Sequence, residues 1–279
     1  MAPRRRTDTH LVTRIDRSGA KRSPDELIVE EPMTIQLDGH RVATTMRTPG
    51  HDYELAAGFC HTDGLLGGAR IIGVRYCADG AASESEFNVV TVETGGRAPV
   101  PTPRLGNTTS SCGLCGSEAI DQLCDALSPL PDTEPIPLHV LAAVPDAVLG
   151  SQGLFTSTGA VHAAAAVAPD GTVLVLREDV GRHNAVDKVV GRMLLDGRLP
   201  ATGMALYVSG RASFELVQKA WAGGFSTLVA VSAPTSLAVQ TARRAGLRLL
   251  GFTRRDRLNV YSPERITDDP RWGSLTGEP

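Results

Sequence analysis

Apolar and polar positions follow two rhythms along this chain, and the rhythm changes near Gly159. Ahead of it, LIVEEPMTIQLDGHRVATTMRT (27–48) reads as two strands joined by an Asp-Gly turn in LDGH. DYELAAGFC (52–60) puts Leu55, Ala56 and Phe59 on one helical face, with Asp52 placed to cap it. FNVVTVE (87–93) alternates as a strand. SEAIDQLCDAL (117–127) has helical periodicity with Ser117 as its N-cap, and HVLAAVPDAVL (139–149) reads as a helix or two short turns. Beyond Gly159, strand-like runs at 161–168, 172–179, 204–210, 227–233 and 247–253 are interleaved with helical patterns at 182–196, 213–223 and 236–246. That order predicts βαβ crossovers, parallel strands and helices on the sheet faces.

The pattern divides the chain. Residues 1–25 are polar and Arg-rich and are expected to form a disordered basic tail. Residues 26–127 make a β-rich N-terminal subdomain that contains a Gly-, Pro-, Ser- and Thr-dense loop at 95–116. A loop that long in a compact domain is usually functional or mobile. The Pro-rich stretch opening 128–150 reads as a connector, 151–262 as an α/β subdomain, and 263–279 as a flexible tail.

Composition narrows the class. With 279 residues, 42% hydrophobic and 21% charged, the chain can bury a substantial core. A net charge of −3 gives no global attraction to nucleic acid or to an anionic membrane, so neither is an expected partner. MAPRRRTDTH has no apolar run behind it, and no stretch of about 18 apolar residues occurs, so neither a secretory leader nor a membrane span is expected. A cytoplasmic location with reduced thiols follows as the expectation. Arg outnumbers Lys 25 to 3, which a nucleotide-composition bias of the genome explains, although local Arg clusters still suit phosphates and purine faces.

Five cysteines occur, and two of them, Cys112 and Cys115, sit in TSSCGLCGSE (109–118). A CxxC in a reducing compartment points to metal binding or catalysis rather than to a structural disulfide. Zinc needs four protein ligands, or three and a water. No second CxxC exists, Cys124 falls on the core side of its helical pattern, H-x-E occurs nowhere, and Ser111 rather than Pro precedes Cys112. The zinc deaminase signature is therefore absent and no zinc is expected. A rigid redox dithiol needs a short, firmly held segment, whereas this pair hangs from a long polar loop. Such a loop suits a thiolate that picks up a sulfur from one partner and swings to another. Two unreactive thiols in a turn are the bland alternative.

Three strand exits carry polar residues. REDVGRHNAVDK (177–188) crowds Arg177, Glu178, Asp179, Arg182, His183, Asn184, Asp187 and Lys188 at a strand–helix junction. A solvated first turn with internal ion pairs would account for the same spacing. VSGRASFE (208–215) offers Ser209, Gly210, Arg211 and Ser213 where backbone and a helix N-terminus can approach a phosphate, although it lacks the P-loop pattern. VSAPTSLA (231–238) repeats the theme. Past the last run, GFTRRDRLNVY (251–261) sets Arg254, Arg255 and Arg257 beside Phe252 and Tyr261, with Asp256 able to accept from a base edge. These groups fit a guanine nucleotide, or a charged surface tail. In open α/β sheets, ligands bind at the carboxyl ends of strands.

Together TPGHDYELAAGFCHTDG (48–64), SSCGLCG (110–116), STGAVHAAA (157–165), REDVGRHNAVDK, SGRASFELVQKA (209–220), AVSAPTSLAV (230–239) and GFTRRDRLNVY resemble the FdhD family, the sulfur carrier proteins needed for formate dehydrogenase activity. The resemblance implies a cytidine-deaminase-like, three-layer α/β fold without the zinc chemistry, with a smaller β-rich N-terminal part. It implies a sulfurtransferase that takes sulfane sulfur from a cysteine desulfurase as a cysteine persulfide. The acceptor it implies is the molybdenum bis(molybdopterin guanine dinucleotide) cofactor, before insertion into apo formate dehydrogenase. The alternative is a non-catalytic chaperone for that cofactor. The persulfide carrier falls on Cys112 and the assisting thiol on Cys115. The cofactor-contacting segment falls on Phe252, Thr253, Arg254, Arg255, Asp256 and Arg257, with Arg182, His183, Ser209, Gly210 and Arg211 as further contacts. The resemblance also implies a homodimer. Two departures, Cys60 at a usually aliphatic position and Asp63 at a position where Glu is common, leave the function untouched.

Overall fold

The computed structural model describes residues 5–76, 87–101, 127–255 and 257–263. Its centre is a six-stranded mixed sheet in the order β12-β11-β10-β9-β7-β8. The strands are β7 (His162–Val167), β8 (Val173–Asp179), β9 (Ala205–Val208), β10 (Thr227–Ala230), β11 (Arg248–Arg254) and β12 (Arg257–Ser262). Both faces are covered, so the strands are apolar without a break. On β7, Ala163, Ala165 and Val167 pack toward helix α2 (Leu138–Leu149), while Ala164 and Ala166 pack toward helices α4 (Arg182–Leu195), α5 (Phe214–Ala222) and α6 (Ser236–Ala245). The result is the expected three-layer α/β arrangement. The helix at 138–149, expected within a connector, buries Leu141, Val144 and Val148 against the outer face of this sheet and so belongs to the α/β layer.

Strand direction departs from the sequence expectation. β9, β10 and β11 are parallel, but β7 is antiparallel to both β8 and β9, and β12 is antiparallel to β11. Only a short turn at Pro169-Asp170-Gly171 separates β7 from β8, and a parallel pair needs a crossover of a dozen residues or more. β12 occupies the Arg-rich stretch expected to lie beyond the last strand, and it closes the sheet edge through residues 257–262.

The smaller N-terminal sheet runs β4-β3-β6-β5, with β3 (Glu31–Leu37), β4 (His40–Arg47), β5 (Gly73–Tyr76) and β6 (Val89–Glu93). The β3–β4 turn is the Asp-Gly pair anticipated from LDGH: Asp38 and Gly39 have φ of 46° and 85°, the left-handed pair that matches hairpin twist. Met33, Ile35, Leu37, Val90 and Val92 pack on helix α1 (Asp52–Thr62) through Leu55, Ala56 and Cys60. Asp52 does not cap α1. His51 takes the N-cap position with φ 58°, and the Asp52 carboxylate is claimed by Arg47 at 3.1 and 2.9 Å and by the Gly50 N–H. In turn α1 packs on α4, which joins the two layers.

Residues 1–25, expected to be disordered, are corrected from Thr7 onward. β1 (Thr7–Asp16) and β2 (Gly19–Ile28) form a two-stranded ribbon paired over their whole length. The ribbon is almost entirely exposed, with Leu11 and Ile15 on the outside, so backbone pairing rather than burial holds it and the hydrophobic pattern gives no sign of it. The short helix α3 (Gly153–Thr158) follows α2 and is held at its start by Glu178, whose carboxylate accepts the Leu154 and Phe155 N–H groups at 3.0 and 2.8 Å. No helix among the described residues is long and apolar enough to cross a membrane.

Candidate functional site

The topology collects the polar strand exits on one edge. Since β7 is antiparallel to both β8 and β9, the carboxyl ends of β8, β9, β10 and β11 lie together, and α4, α5 and α6 all begin there. Pairing continues past the strands. Ser232 N–H donates to Gly210 O at 3.3 Å, Ala212 N–H to Ala233 O at 3.2 Å, and Phe252 N–H to Ser232 O at 3.2 Å. The three exits 209–212, 231–235 and 251–254 are therefore one continuous rim. Gly251 is required in it: a Cβ there would lie 2.9 Å from the Tyr261 ring, 3.0 Å from Pro234 and 3.1 Å from Ser232 O. Phe252 follows with φ 52° and points outward, 44% exposed.

Three helix N-termini opening on one rim present unpaired N–H groups and a positive potential to whatever sits there. Thr235 caps α6, accepting the Ala238 N–H at 3.2 Å. At the start of α5, by contrast, Ser213 makes no side-chain cap bond, and its hydroxyl is buried without a partner among the described residues. The hydroxyl of Thr253, fully buried, is likewise unpartnered. Such groups cost free energy unless a ligand or water completes them.

Cationic groups surround the rim. Arg254 reaches back over it, with Nη1 donating at 2.9 Å to Val231 O and to Thr253 O. His183, at the first turn of α4, lies with Nε2 2.7 Å from the Glu215 carboxylate on α5; that close contact, ahead of opposing burial, holds Glu215 below its ordinary range. Arg182 stands half-buried beside it, and Arg211, Arg255 and Arg257 stand exposed. Under the rim on the α2 side lies a cavity of about 450 Å³, lined by His162, Tyr207, Ser209, Val231, Arg254 and Phe155 among others. Burial raises the Tyr207 phenol to about 12, so it stays neutral.

REDVGRHNAVDK divides between two tasks. Asp179, fully buried, binds Lys188 at 2.6 Å, and Lys188 donates to Thr48 O at 2.9 Å. Asp187 pairs with Lys219 at 2.9 Å and accepts from Thr62 at 2.8 Å. Arg177 grips Glu54 at 2.5 and 2.8 Å. These pairs stitch the α/β layer to the N-terminal layer, so the expectation of internal ion pairs holds for them, although they are buried rather than solvated. Arg182 and His183 alone of that cluster join the rim with Ser209, Gly210 and Arg254.

A model of the FdhD/NarQ family matches residues 28–267. The chain belongs to the FdhD/NarQ family. It is 46% identical to the sulfur carrier protein FdhD of Streptomyces avermitilis, over 92% of this chain and 94% of that one. It is 44% identical to the sulfur carrier protein FdhD of Mycolicibacterium paratuberculosis, over 92% of this chain and 97% of that one. Its fold is similar to the crystal structure of a putative formate dehydrogenase accessory protein from Desulfotalea psychrophila, with a TM-score of 0.75, 26% identity, and coverage of 94% of this chain and all of that one. The family match begins at the end of β2, so nearly all of the exposed ribbon lies ahead of it.

Cys112, Cys115 and Asp256 lie outside the described residues, as does all but the last residue of the helix anticipated at 117–127. The free thiol that is described, Cys60, is buried against β3 and β6, and burial pushes its pKa far above the thiol range, so it has no reactive role. Nothing in the sequence singles out His162. It lay inside a matched segment, but as the first residue of an alanine run it carried no local sign of reaching a cavity. Only the β7–β9 register, which sets Ala164 opposite Val208, brings it beside Ser209.

Proposed function

We propose that this protein is a sulfurtransferase. Cys112 takes sulfane sulfur from the persulfide of a cysteine desulfurase and carries it to a molybdenum bis(molybdopterin guanine dinucleotide) cofactor, which then enters apo formate dehydrogenase. Loading is thiol–persulfide exchange: the Cys112 thiolate attacks the outer sulfur and the desulfurase thiolate leaves. Release as sulfide needs two electrons. Attack of the Cys115 thiol on the inner sulfur of Cys112 supplies them, expelling hydrosulfide and leaving a Cys112–Cys115 disulfide for a cytosolic dithiol to reduce.

The observation that carries the acceptor assignment is the rim itself. The starts of α4, α5 and α6, with Arg182, His183 and Arg254, face one edge. A ligand with two pyrophosphates and two purines calls for such an array of N–H groups and guanidinium planes. The relatives named sulfur carrier protein support the sulfur-carrying half of the reading. The protein acts in the cytoplasm as a homodimer, which offers two equivalent rims to the two guanine dinucleotides.

Mass spectrometry after incubation with desulfurase and cysteine tests the carrier. The expected result is one added sulfur on Cys112, absent from Cys112→Ala. Normal loading of that variant overturns the assignment. A Cys112→Ala/Cys115→Ala protein that still matures active formate dehydrogenase would make it a cofactor chaperone instead.

A further inference from the structure

His162 opens β7 and lines the 450 Å³ cavity, and one neighbour, the Ser209 hydroxyl, bears on which ring nitrogen carries the proton. Gly210 passes over one side of the ring: a Cβ built there would lie 3.6 Å from both Nδ1 and Cε1. The Ser209 hydroxyl oxygen lies 3.5 Å from Nδ1 and already accepts the Ala163 N–H at 2.9 Å. Its own proton remains to be donated, and Nδ1 is the acceptor beside it. An accepting Nδ1 places the proton of a neutral imidazole on Nε2. Burial first, then the neighbouring Arg182 and His183, lowers the His162 pKa, with Asp179 opposing, and so keeps the ring neutral. No partner is found for Nε2 among the described residues, so its N–H is available to a ligand.

The other polar groups of the cavity sort by kind. Arg254 commits Nη1 to two carbonyls and keeps its remaining N–H donors. Asp146, an exposed residue of α2, also lines the cavity and is the carboxylate nearest at hand. A base that presents acceptors to His162 and Arg254 and donors to Asp146 matches this polarity. Guanine does so with O6 and N7 as acceptors and N1–H and the 2-amino group as donors. Adenine shares N7 but places a 6-amino donor where guanine has O6 and an acceptor at N1, so the discriminating atom on that face is O6. Sites built to hydrogen-bond one group discriminate strongly against an analogue that leaves buried partners unpaired.

We propose that His162 selects guanine over adenine at this rim, donating from Nε2 to O6, and that Ser209 is the positioning residue that holds its tautomer. The proposal rests on the reading of the rim as a guanine dinucleotide site.

Calorimetry with GDP, IDP and ADP tests it on the full chain and on His162→Leu, His162→Gln and Ser209→Ala. Wild type is expected to bind GDP and IDP, which share O6, N7 and N1–H, more tightly than ADP. His162→Leu is expected to weaken GDP and IDP roughly tenfold while leaving ADP unchanged, so the base preference collapses. His162→Gln keeps an N–H donor near the position of Nε2 and is expected to restore most of the preference. Ser209→Ala is expected to lose part of it, with the ¹⁵N spectrum of His162 moving from the Nε2–H form toward a mixture. A uniform loss for all three nucleotides in both His162 variants marks a structural role and overturns the proposal. An unchanged GDP-to-ADP ratio in His162→Leu overturns it too and leaves the proposed function standing. Wild type with no measurable GDP binding overturns both.

Discussion

Gly58 on α1 and Gly191 on α4 lie at the closest contact of two helices: a Cβ on Gly58 would fall 1.9 Å from Asp187 O, and one on Gly191 1.8 Å from Glu54 O. Neither obstacle is a flexible side chain, so an alanine can be accommodated only by parting the helices. Gly→Ala inside an exposed helix stabilises by about 1 kcal/mol. Here the overpacking term opposes that gain and wins. Gly58→Ala and Gly191→Ala are each expected to destabilise by about 3 kcal/mol in denaturant unfolding. A neutral or stabilising result for either would show that this junction is looser than its geometry.

Beside that contact, Lys188 and Asp179 form a fully buried ion pair whose remaining valences are filled by Thr48, Gly181 and Asn184. Removing one partner leaves a charge without compensation. Lys188→Met is expected to cost about 3–5 kcal/mol, and adding Asp179→Asn to recover a good part of it. Denaturant unfolding of the two singles and the double gives the coupling. Additive losses would mean that the pair contributes no mutual stabilisation.

What was legible in the sequence follows from how local each signal is. The Asp38-Gly39 turn was readable because two adjacent residues determine it, and the helices starting at Arg182, Phe214 and Ser236 because 3.6-residue periodicity shows in a short window. The rim residues could be guessed individually, since each follows an apolar strand run. Their convergence could not, because it depends on β7 reversing direction between β8 and β9. The division of REDVGRHNAVDK was hidden for a similar reason: the partners that bury Asp179, Asp187 and Arg177 are Thr48, Lys219 and Glu54, which lie far off in sequence. The β1–β2 ribbon escaped because it buries little, and β12 because its Arg257 and Asn259 look outward.

Glu54 and Arg177 give this junction a pH dependence. Burial alone would raise the Glu54 carboxyl, but hydrogen bonds from Arg177 and His51, and their charges, outweigh it and hold the pKa at about 2 against an ordinary 4.5. A depressed folded-state value means that the ionised form is the stabilising one. Its contribution is complete above the unfolded value and is lost as pH falls from about 4.5 through about 2. Wild type is expected to lose about 1–2 kcal/mol more than Glu54→Gln across that window, allowing for partial solvent screening. Parallel stability curves for the two proteins would remove this pair from the acid response.

Arg254 and Arg255 are neighbours in sequence with different surroundings. Arg254 lines the cavity and is braced by Val231 O at 2.9 Å, so its guanidinium is oriented before a ligand arrives. Both are exposed, but Arg255 stands at the end of the β11–β12 hairpin, beyond the cavity lining. An oriented guanidinium loses less entropy on forming a charge-assisted bond. Arg254→Ala is therefore expected to weaken GDP binding by about 2 kcal/mol at low salt, with a measurable part left at high ionic strength. Arg255→Ala is expected to cost about 0.5 kcal/mol at low salt and nothing measurable at about 0.5 M salt. Calorimetric titrations at two ionic strengths separate the two residues. Equal losses, or a larger loss for Arg255→Ala, would move the anion contact from the cavity mouth to the outer hairpin.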